Sequence, residues 1–439
     1  MKINRLLTIL ALFLTLCCGS AQTYEGSLFI TELQQQSLVN PSYSPRDSGV
    51  HIALPSVSFQ LDHTGPALQD ISRKQVGRRL VNLGVLADVM KADFETLSVD
   101  LSLQSLLVGY KFDGFYLQIG QMIKTESDLI YSRDMARLLW NGNGPLLGET
   151  LQLDTDVNVV NYSEIFLTAS KEIGRLRVGV SLKYLNGLSY LRTESSQIRV
   201  TTRETDLALE IDNDFSLINA GVLDYRGISD VNWDGDFLQF TDVLKHNSGF
   251  AFDLGISFTP NENSLVGLSI RDIGKITWNT DIERIRSTAS RSYEGLQLSD
   301  ILAIDQINLT SITDSVEQVL DISQESLTDY ESQLTKKYTL HGHTGIGLRW
   351  TVGAAAVYLD RDLRSDLQGH AWLNYKAASW IEVGASISYR YENIANIGLL
   401  TKMTLGPASF FVQTYHLPGA VNIIGTDHFS IMTGLNLHF

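Results

Sequence analysis

Two short stretches of this 439-residue chain have the residue types and spacing to do chemistry. In Asp230-Val-Asn232-Trp-Asp234-Gly235-Asp236 oxygen donors alternate around a glycine, as in the first half of a calcium loop. Hard cations need several oxygens, and a turn at Gly converges them. The twelfth position is Thr241, where a bidentate Glu is required, so an acidic surface turn is the preferred reading and Ca2+ in an extracellular loop the alternative. His341-Gly-His343 places two imidazoles on one strand face, which permits metal binding, but the sequence offers no third ligand. G-x-S-x-G, H-E-x-x-H and Gly-rich phosphate loops are all missing, so neither an enzyme nor a resident cofactor is expected. The largest polar set alternates with apolar residues: Asp100, Gln104, Gln118, Lys183, Asp253, His341, His343, Arg349, Glu382 and Arg390, preceded by Asn40 and Pro41. Such residues either neutralise one another inside a closed wall or line a polar path for a ligand.

That alternation identifies the elements that must position them. The last eleven residues, FSIMTGLNLHF, put Phe429, Ile431, Thr433, Leu435, Leu437 and Phe439 on one face and smaller or polar residues on the other. The same period of two, with position deciding for poorly alternating stretches such as 156–170 and 408–416, predicts fourteen strands, at 50–61, 95–109, 114–123, 156–170, 175–187, 249–258, 264–273, 338–349, 352–359, 369–376, 380–390, 395–404, 408–416 and 428–438. Links after the even strands up to the twelfth are tight. Those after strands 1, 3, 5 and 7 are long, at 62–94, 124–155, 188–248 and 274–337, and the rest are intermediate. Segregation of loop length by parity predicts an all-β, transmembrane antiparallel barrel with periplasmic turns and long extracellular loops. A secreted two-sheet adhesin is the competing reading. Aromatics fall near both strand ends, with Tyr110, Phe112, Phe115, Trp350, Tyr375, Trp380, Phe411 and Phe439 by the turns and Tyr358, Trp372, Tyr389, Tyr391 and Phe429 opposite. Two interfacial belts suit such rings. Helical spacing recurs at 128–141, where Leu129, Met135, Leu138 and Leu139 share a side, and more strongly over 297–334.

Export and charge agree with a barrel. Residues 1–21 carry Lys2 and Arg5, an apolar run over Leu6–Leu16 and a small-residue close, predicting a signal peptide cleaved near Ala21/Gln22. No later apolar run approaches the roughly 20 residues a membrane helix needs. Both cysteines fall in the leader, leaving no disulfide framework in the exported chain. The formal net charge of −15 argues against nucleic acid as a partner. Residues 22–49 read as an N-terminal plug ahead of a barrel over 50–439.

Ser37-Leu-Val-Asn40-Pro41-Ser-Tyr43-Ser-Pro45, followed by Val50-His-Ile-Ala-Leu-Pro55, resembles the Asn-Pro-Ala opening of an uncharacterised Bacteroidota outer-membrane barrel family. Gly249–Gly255 and Leu268–Trp278 are similar to that family's middle. The family in turn resembles the long-chain fatty acid transporter type, whose N-terminal segment plugs the lumen, and barrels attached to type IX secretion. The third position of the opening is Ser42 here instead of Ala. The resemblance implies an outer-membrane channel or transporter for a small, possibly hydrophobic solute, with lipid and a small ligand as partners. Its alternative is a non-transporting accessory or anchoring subunit of an outer-membrane or secretion complex.

Overall fold

The structure, a computed structural model, describes residues 24–75, 78–225, 231–233, 247–293, 320–390 and 393–439. The leader expected at 1–21 therefore lies outside the described residues.

Fourteen antiparallel strands close into a cylinder. Strand β1 runs in two pieces, Gly49–Ala53 and Ser56–His63. Then come β2 (Phe94–Phe112), β3 (Phe115–Ser132), β4 (Thr155–Ile173) and β5 (Leu176–Thr202). Next are β6 (Ser248–Asn261), β7 (Ser264–Trp278), β8 (Lys336–Ile346), β9 (Trp350–Asp360) and β10 (Ser365–Ala378). The last four are β11 (Ile381–Arg390), β12 (Asn393–Leu405), β13 (Ala408–Thr414) and β14 (His428–His438). Each strand pairs with the next, and β14 returns to β1 through His51↔His438 and Val57↔Thr433. Closure leaves no free edge in this ring and excludes the two-sheet alternative.

The wall obeys the alternation. On β6, Phe250, Phe252, Leu254, Ile256 and Phe258 are exposed, whereas Ala251, Asp253 and Ser257 are buried inside. On β14, Ser430, Met432 and Asn436 are buried inward, and Ile431, Leu435 and Leu437 face out. Rings gather at the two limits of the outward apolar band. Tyr110, Phe112 and Phe115 stack at successive distances of 5.6 and 5.8 Å at the turn end, where Trp350 also meets Tyr375 at 4.5 Å. At the other limit Tyr184 meets Phe250 at 5.5 Å and Tyr338 meets Tyr358 at 6.0 Å. From Trp350 to Tyr358 a strand rises about 26 Å, or about 20 Å along the axis at ordinary barrel tilt. Two rings assigned to the belts point inward instead: Phe411 and Trp372 are buried in the lumen. Tyr391 lies outside the described residues.

The expected long connections contain more sheet than the alternation indicated. Strands β3 and β5 run well past the apolar band, and β5 ends only at Thr202. Its far half pairs with Leu209–Ala220, which pairs with Ile282–Tyr293, which pairs with Ile322–Ser326. The result is an outer sheet continuous with one side of the cylinder. Polar residues such as Arg192, Thr193, Glu194 and Ser195 dominate this stretch of β5, which is why its membrane-like pattern stops although the strand does not. Of the helix expected at 128–141, only α1 (Arg133–Asn141) forms. Ser132 caps it by accepting a hydrogen bond from the Met135 amide at 3.1 Å, so Leu129 stays in β3 and Leu139 is exposed. Of the amphipathic stretch 297–334, residues up to 319 lie outside the described residues. The remainder holds the short strands Ile322–Ser326 and Tyr330–Gln333.

Candidate functional site

Residues 24–45 lie inside the cylinder at the turn end, and 46–48 emerge from it to meet β1. Pro41 and Pro45 bar a continuous helix here. The segment instead makes two 3-10 turns, Tyr24–Phe29 and Gln34–Leu38, joined through Glu32 at φ 55°. An Asx turn follows, in which Asn40 Oδ1 accepts from the Ser42 amide at 3.0 Å and from its hydroxyl at 2.7 Å. Apolar residues Tyr24, Leu28, Phe29, Ile30, Leu33 and Val39 form one core with inward residues of the wall, among them Leu107, Phe166, Trp372 and Phe411. Phe29 stacks on Trp372 at 4.4 Å and meets Tyr415 edge-on at 5.2 Å.

Three wall glycines receive Asn40-Pro41. A Cβ on Gly179 would lie 2.1 Å from the Pro41 carbonyl, and one on Gly255 would lie 2.1 Å from Asn40 Oδ1. Gly267 sits beside them under the Asn40 amide and the His341 ring. Gly255 and Gly179 are direct cross-strand partners, so the three make a shallow trench on β5, β6 and β7 that any side chain would fill. In the trench Asn40 Nδ2 contacts Ser257 Oγ at 3.3 Å and His341 Nε2 at 3.1 Å, while Ser269 donates to the Val39 carbonyl at 2.7 Å. The inward register of these glycines is readable in the sequence, although a gap at one site is recognised only once the strands are paired.

Above the segment lies a layer of buried charge. Lys183 contacts Asp253 at 2.7 Å and Asp272 at 2.5 Å, Lys124 contacts Glu164 at 3.0 Å, and Lys337 contacts Glu126 at 2.7 Å. Arg271 pairs with Glu25 of the N-terminal segment. Lys183 and Asp253 were among the expected lumen residues; Arg271, Asp272, Lys124, Glu126, Glu164 and Lys337 were not. The reason is local at β7. The register slips there, so that Arg271 and Asp272 together oppose Asp253, a β-bulge with Asp272 at φ 59°. Two consecutive side chains then face inward, which strict alternation forbids.

Nearer the loop end a second set bridges the lumen. Arg361, in the link after β9, forks onto Asp100 of β2 at 3.1 and 2.6 Å and reaches Asp128 of β3 at 3.4 Å. β2 and β9 stand on opposite sides of the ring, so this guanidinium ties two walls together. Arg192 of β5 holds Asp362 of the same link at 2.7 Å.

The remaining expected residues are dispersed. Glu382 accepts from Thr31 Oγ1 at 2.9 Å and from Asn374 at 2.8 Å, and Lys402 donates to the Thr31 carbonyl at 2.6 Å. Gln118 is buried on β3, paired in the backbone with Gly109 and Thr168, and its amide meets no partner. Arg349 was expected on an inward face, but it lies in the exposed turn before β9, where it contacts the Tyr375 hydroxyl at 3.2 Å. The strand ends at Ile346, short of the expected limit, and Gly347 turns the chain at φ 65°. Arg390 closes β11, its backbone paired with Asn393. In the acidic stretch considered for Ca2+, Asp230, Asp234 and Asp236 lie outside the described residues. Asn232 belongs to the short strand Val231–Trp233, paired with Asp224. Among the described residues no group of three or more His, Asp or Glu side chains is placed to hold a metal ion. His341 is taken up by Asn40, while His343 lines a cleft between the segment and the wall that encloses about 850 Å³, solvent included.

A model of a family of unknown function, DUF5723, matches residues 41–414. No curated protein matches the chain. Solved structures similar to it include the Pseudomonas putida toluene transporter TodX, at 9% identity and TM-score 0.43 with 96% of each chain covered. The Ralstonia pickettii toluene transporter TbuX has 9% identity and TM-score 0.43, covering 96% of this chain and 95% of that one. The translocator domain of the autotransporter NalP from Neisseria meningitidis has 8% identity and TM-score 0.35, covering 90% of each.

Proposed function

We propose, for a chain that belongs to the family of unknown function DUF5723, that it is an outer-membrane barrel which passes a small solute and is closed in this structure. The exposed apolar band between two sets of rings supports residence in a bilayer, with the tight turns on the periplasmic side. One observation carries the transport reading. The N-terminal segment fills the turn-end lumen without joining the wall as a strand. Its backbone–backbone bonds, such as Ile30 to Ser27 and Tyr43 to Asn40, close within the segment itself. Among the described residues, the hydrogen bonds between it and the wall all use a side chain, so the filler can leave without breaking strand pairing. The cleft beside it combines apolar residues, Leu28, Phe29 and Trp372, with polar ones, Asn40 and His343, which suits a small solute having some apolar surface.

The test is uptake into proteoliposomes of a graded set of small solutes, comparing the wild type with a Gly255→Val variant whose segment cannot seat. Uptake that rises in the variant and falls with solute size supports the reading. Equal, background-level uptake by both folded proteins overturns it and favours the second reading, a non-transporting accessory subunit. That reading draws on the outer sheet built on β5, and its own test is co-purification of a stoichiometric partner that is lost when Leu209–Ala220 is altered.

A further inference from the structure

We infer that Arg271 recognises a solute bearing one carboxylate, and that this carboxylate takes the place of Glu25, so that solute binding and release of the N-terminal segment are a single exchange. The inference rests on the transport reading above and names its solute class. Arg271 is 5% exposed, on the bulge of β7. Its partners are Glu25, the Leu38 carbonyl at 3.1 Å and Thr339 Oγ1 at 3.4 Å. Two of these three belong to the segment, and only Thr339 belongs to the wall. The neighbouring lysines differ, since Lys124, Lys183 and Lys337 each hold carboxylates of the wall itself. Withdrawal of the segment thus takes from Arg271 its hydrogen-bonded carboxylate, while Asp272 and Asp253 stay beside it on the wall and the lysine pairs stand. The segment gives up this charge-assisted pairing on leaving, and a second carboxylate that takes the place of Glu25 restores it and favours departure.

The geometry also selects the anion. Guanidinium and carboxylate match best side by side, through two parallel N–H donors. Glu25, tethered to its backbone, gives Arg271 one oxygen at Nη2, while the Arg271 Nε–H meets no acceptor. An untethered carboxylate has the freedom to take Nε and Nη2 together, which is its advantage over the resident group. Met122 and Phe166 of the wall line the narrow cavity beside Arg271, and they offer a compact apolar body its contact surface.

The test reads exposure of the segment. Ser27, fully buried in the closed barrel, is changed to cysteine in the full chain carrying Cys17→Ser and Cys18→Ser, and labelling by a membrane-impermeant maleimide is timed. Benzoate is expected to speed labelling on the order of tenfold or more, and its neutral isostere benzamide to leave it unchanged. Arg271→Gln is expected to abolish the benzoate response, and Glu25→Gln to label fast without benzoate. Equal responses to benzoate and benzamide, or a benzoate response that survives Arg271→Gln, overturn the inference. Should Arg271→Gln not fold, as judged by heat-modifiable gel mobility, Glu25→Gln decides: slow, benzoate-dependent labelling there overturns it. Benzoate uptake by proteoliposomes separates this inference from the broader reading. Labelling that responds without uptake keeps the exchange and removes transport, whereas uptake without a labelling response keeps transport and removes the exchange.

Discussion

The two ends of the lumen are closed by different means. At the turn end the filler is a separate stretch of chain, held by apolar packing and by hydrogen bonds such as Ser269 to Val39 and Gln35 to Asn436. At the loop end the wall closes itself, with Arg361 drawing β2 and β3 toward the far side and Arg192 securing the same link. A filler that is not part of the wall can leave without breaking strand pairing. A brace between walls cannot be released without exposing the carboxylates it was neutralising. The first arrangement is suited to gating and the second to shape, and this difference orders the expected effects of substitution.

The largest effect is expected at the brace. Arg361→Ala leaves Asp100 and Asp128 buried around a lost cation, which costs about 3–5 kcal/mol. The heat-modified gel shift of the purified barrel should move to markedly lower temperature; an unchanged transition would mean that the cross-lumen pairs are dispensable. Next comes the outer face of β6. Ile256 points outward in the middle of the apolar band, and Ile256→Arg should cost roughly 2–4 kcal/mol if that band meets hydrocarbon. Urea titration in lipid vesicles reads it directly, and a cost near zero would place this face in water.

One residue earlier on the same strand the expected effect changes kind. Gly255→Ala drives a methyl into Asn40 Oδ1, 2.1 Å away, and overpacking of this sort costs about 1–3 kcal/mol. The loss should fall on the segment and not on the cylinder. Limited proteolysis within residues 24–48 should accelerate while the unfolding midpoint of the barrel stays near that of the wild type. A shift in the barrel midpoint as large as that of Ile256→Arg would erase the distinction between filler and wall.

How much of this was legible in the sequence follows from what alternation can report. Most of the fourteen strands are legible because each needs one face for the outside and one for the lumen, a constraint written into every second residue of stretches such as 250–258 and 428–439, whereas 156–170 and 408–416 alternate poorly and follow from their position between their neighbours. The outer sheet was not legible, because over residues 192–197 β5 is polar on both faces and its period is lost there. Within the site, Asp100, Lys183, Asp253 and Glu382 were found by inward register alone. Arg271 and Asp272 escaped because a bulge breaks the register at that point, and Arg361 escaped because it sits in a link and not on a strand. Arg349 was misplaced for the opposite reason, since the run was continued through a turn. Partnership across a ring cannot be inferred from spacing: Arg361 and Asp100 are joined by closure of the cylinder, not by proximity in the chain.

The smallest expected effect lies in the link between β13 and β14, outside the apolar band, and it tests whether the loop end is built throughout on fixed contacts. His416 Nδ1–H donates to the His428 carbonyl at 2.8 Å, a contact that ties the link to β14. Burial, the largest cause, lowers the pKa of this imidazole below its usual 6.5, while the His428 carbonyl partly offsets the shift. Because the folded value lies under the unfolded one, the contribution of His416 is complete above the usual value and is lost as pH falls through the lowered one. Hydrogen exchange at the Ala420 amide, which donates to the His416 carbonyl at 3.1 Å, should therefore show a step of extra acceleration on acidification below the usual imidazole value, superimposed on the intrinsic trend. His416→Ala should exchange faster at neutral pH and show no step. A step of equal size in that variant would show that the acid sensitivity does not arise at His416.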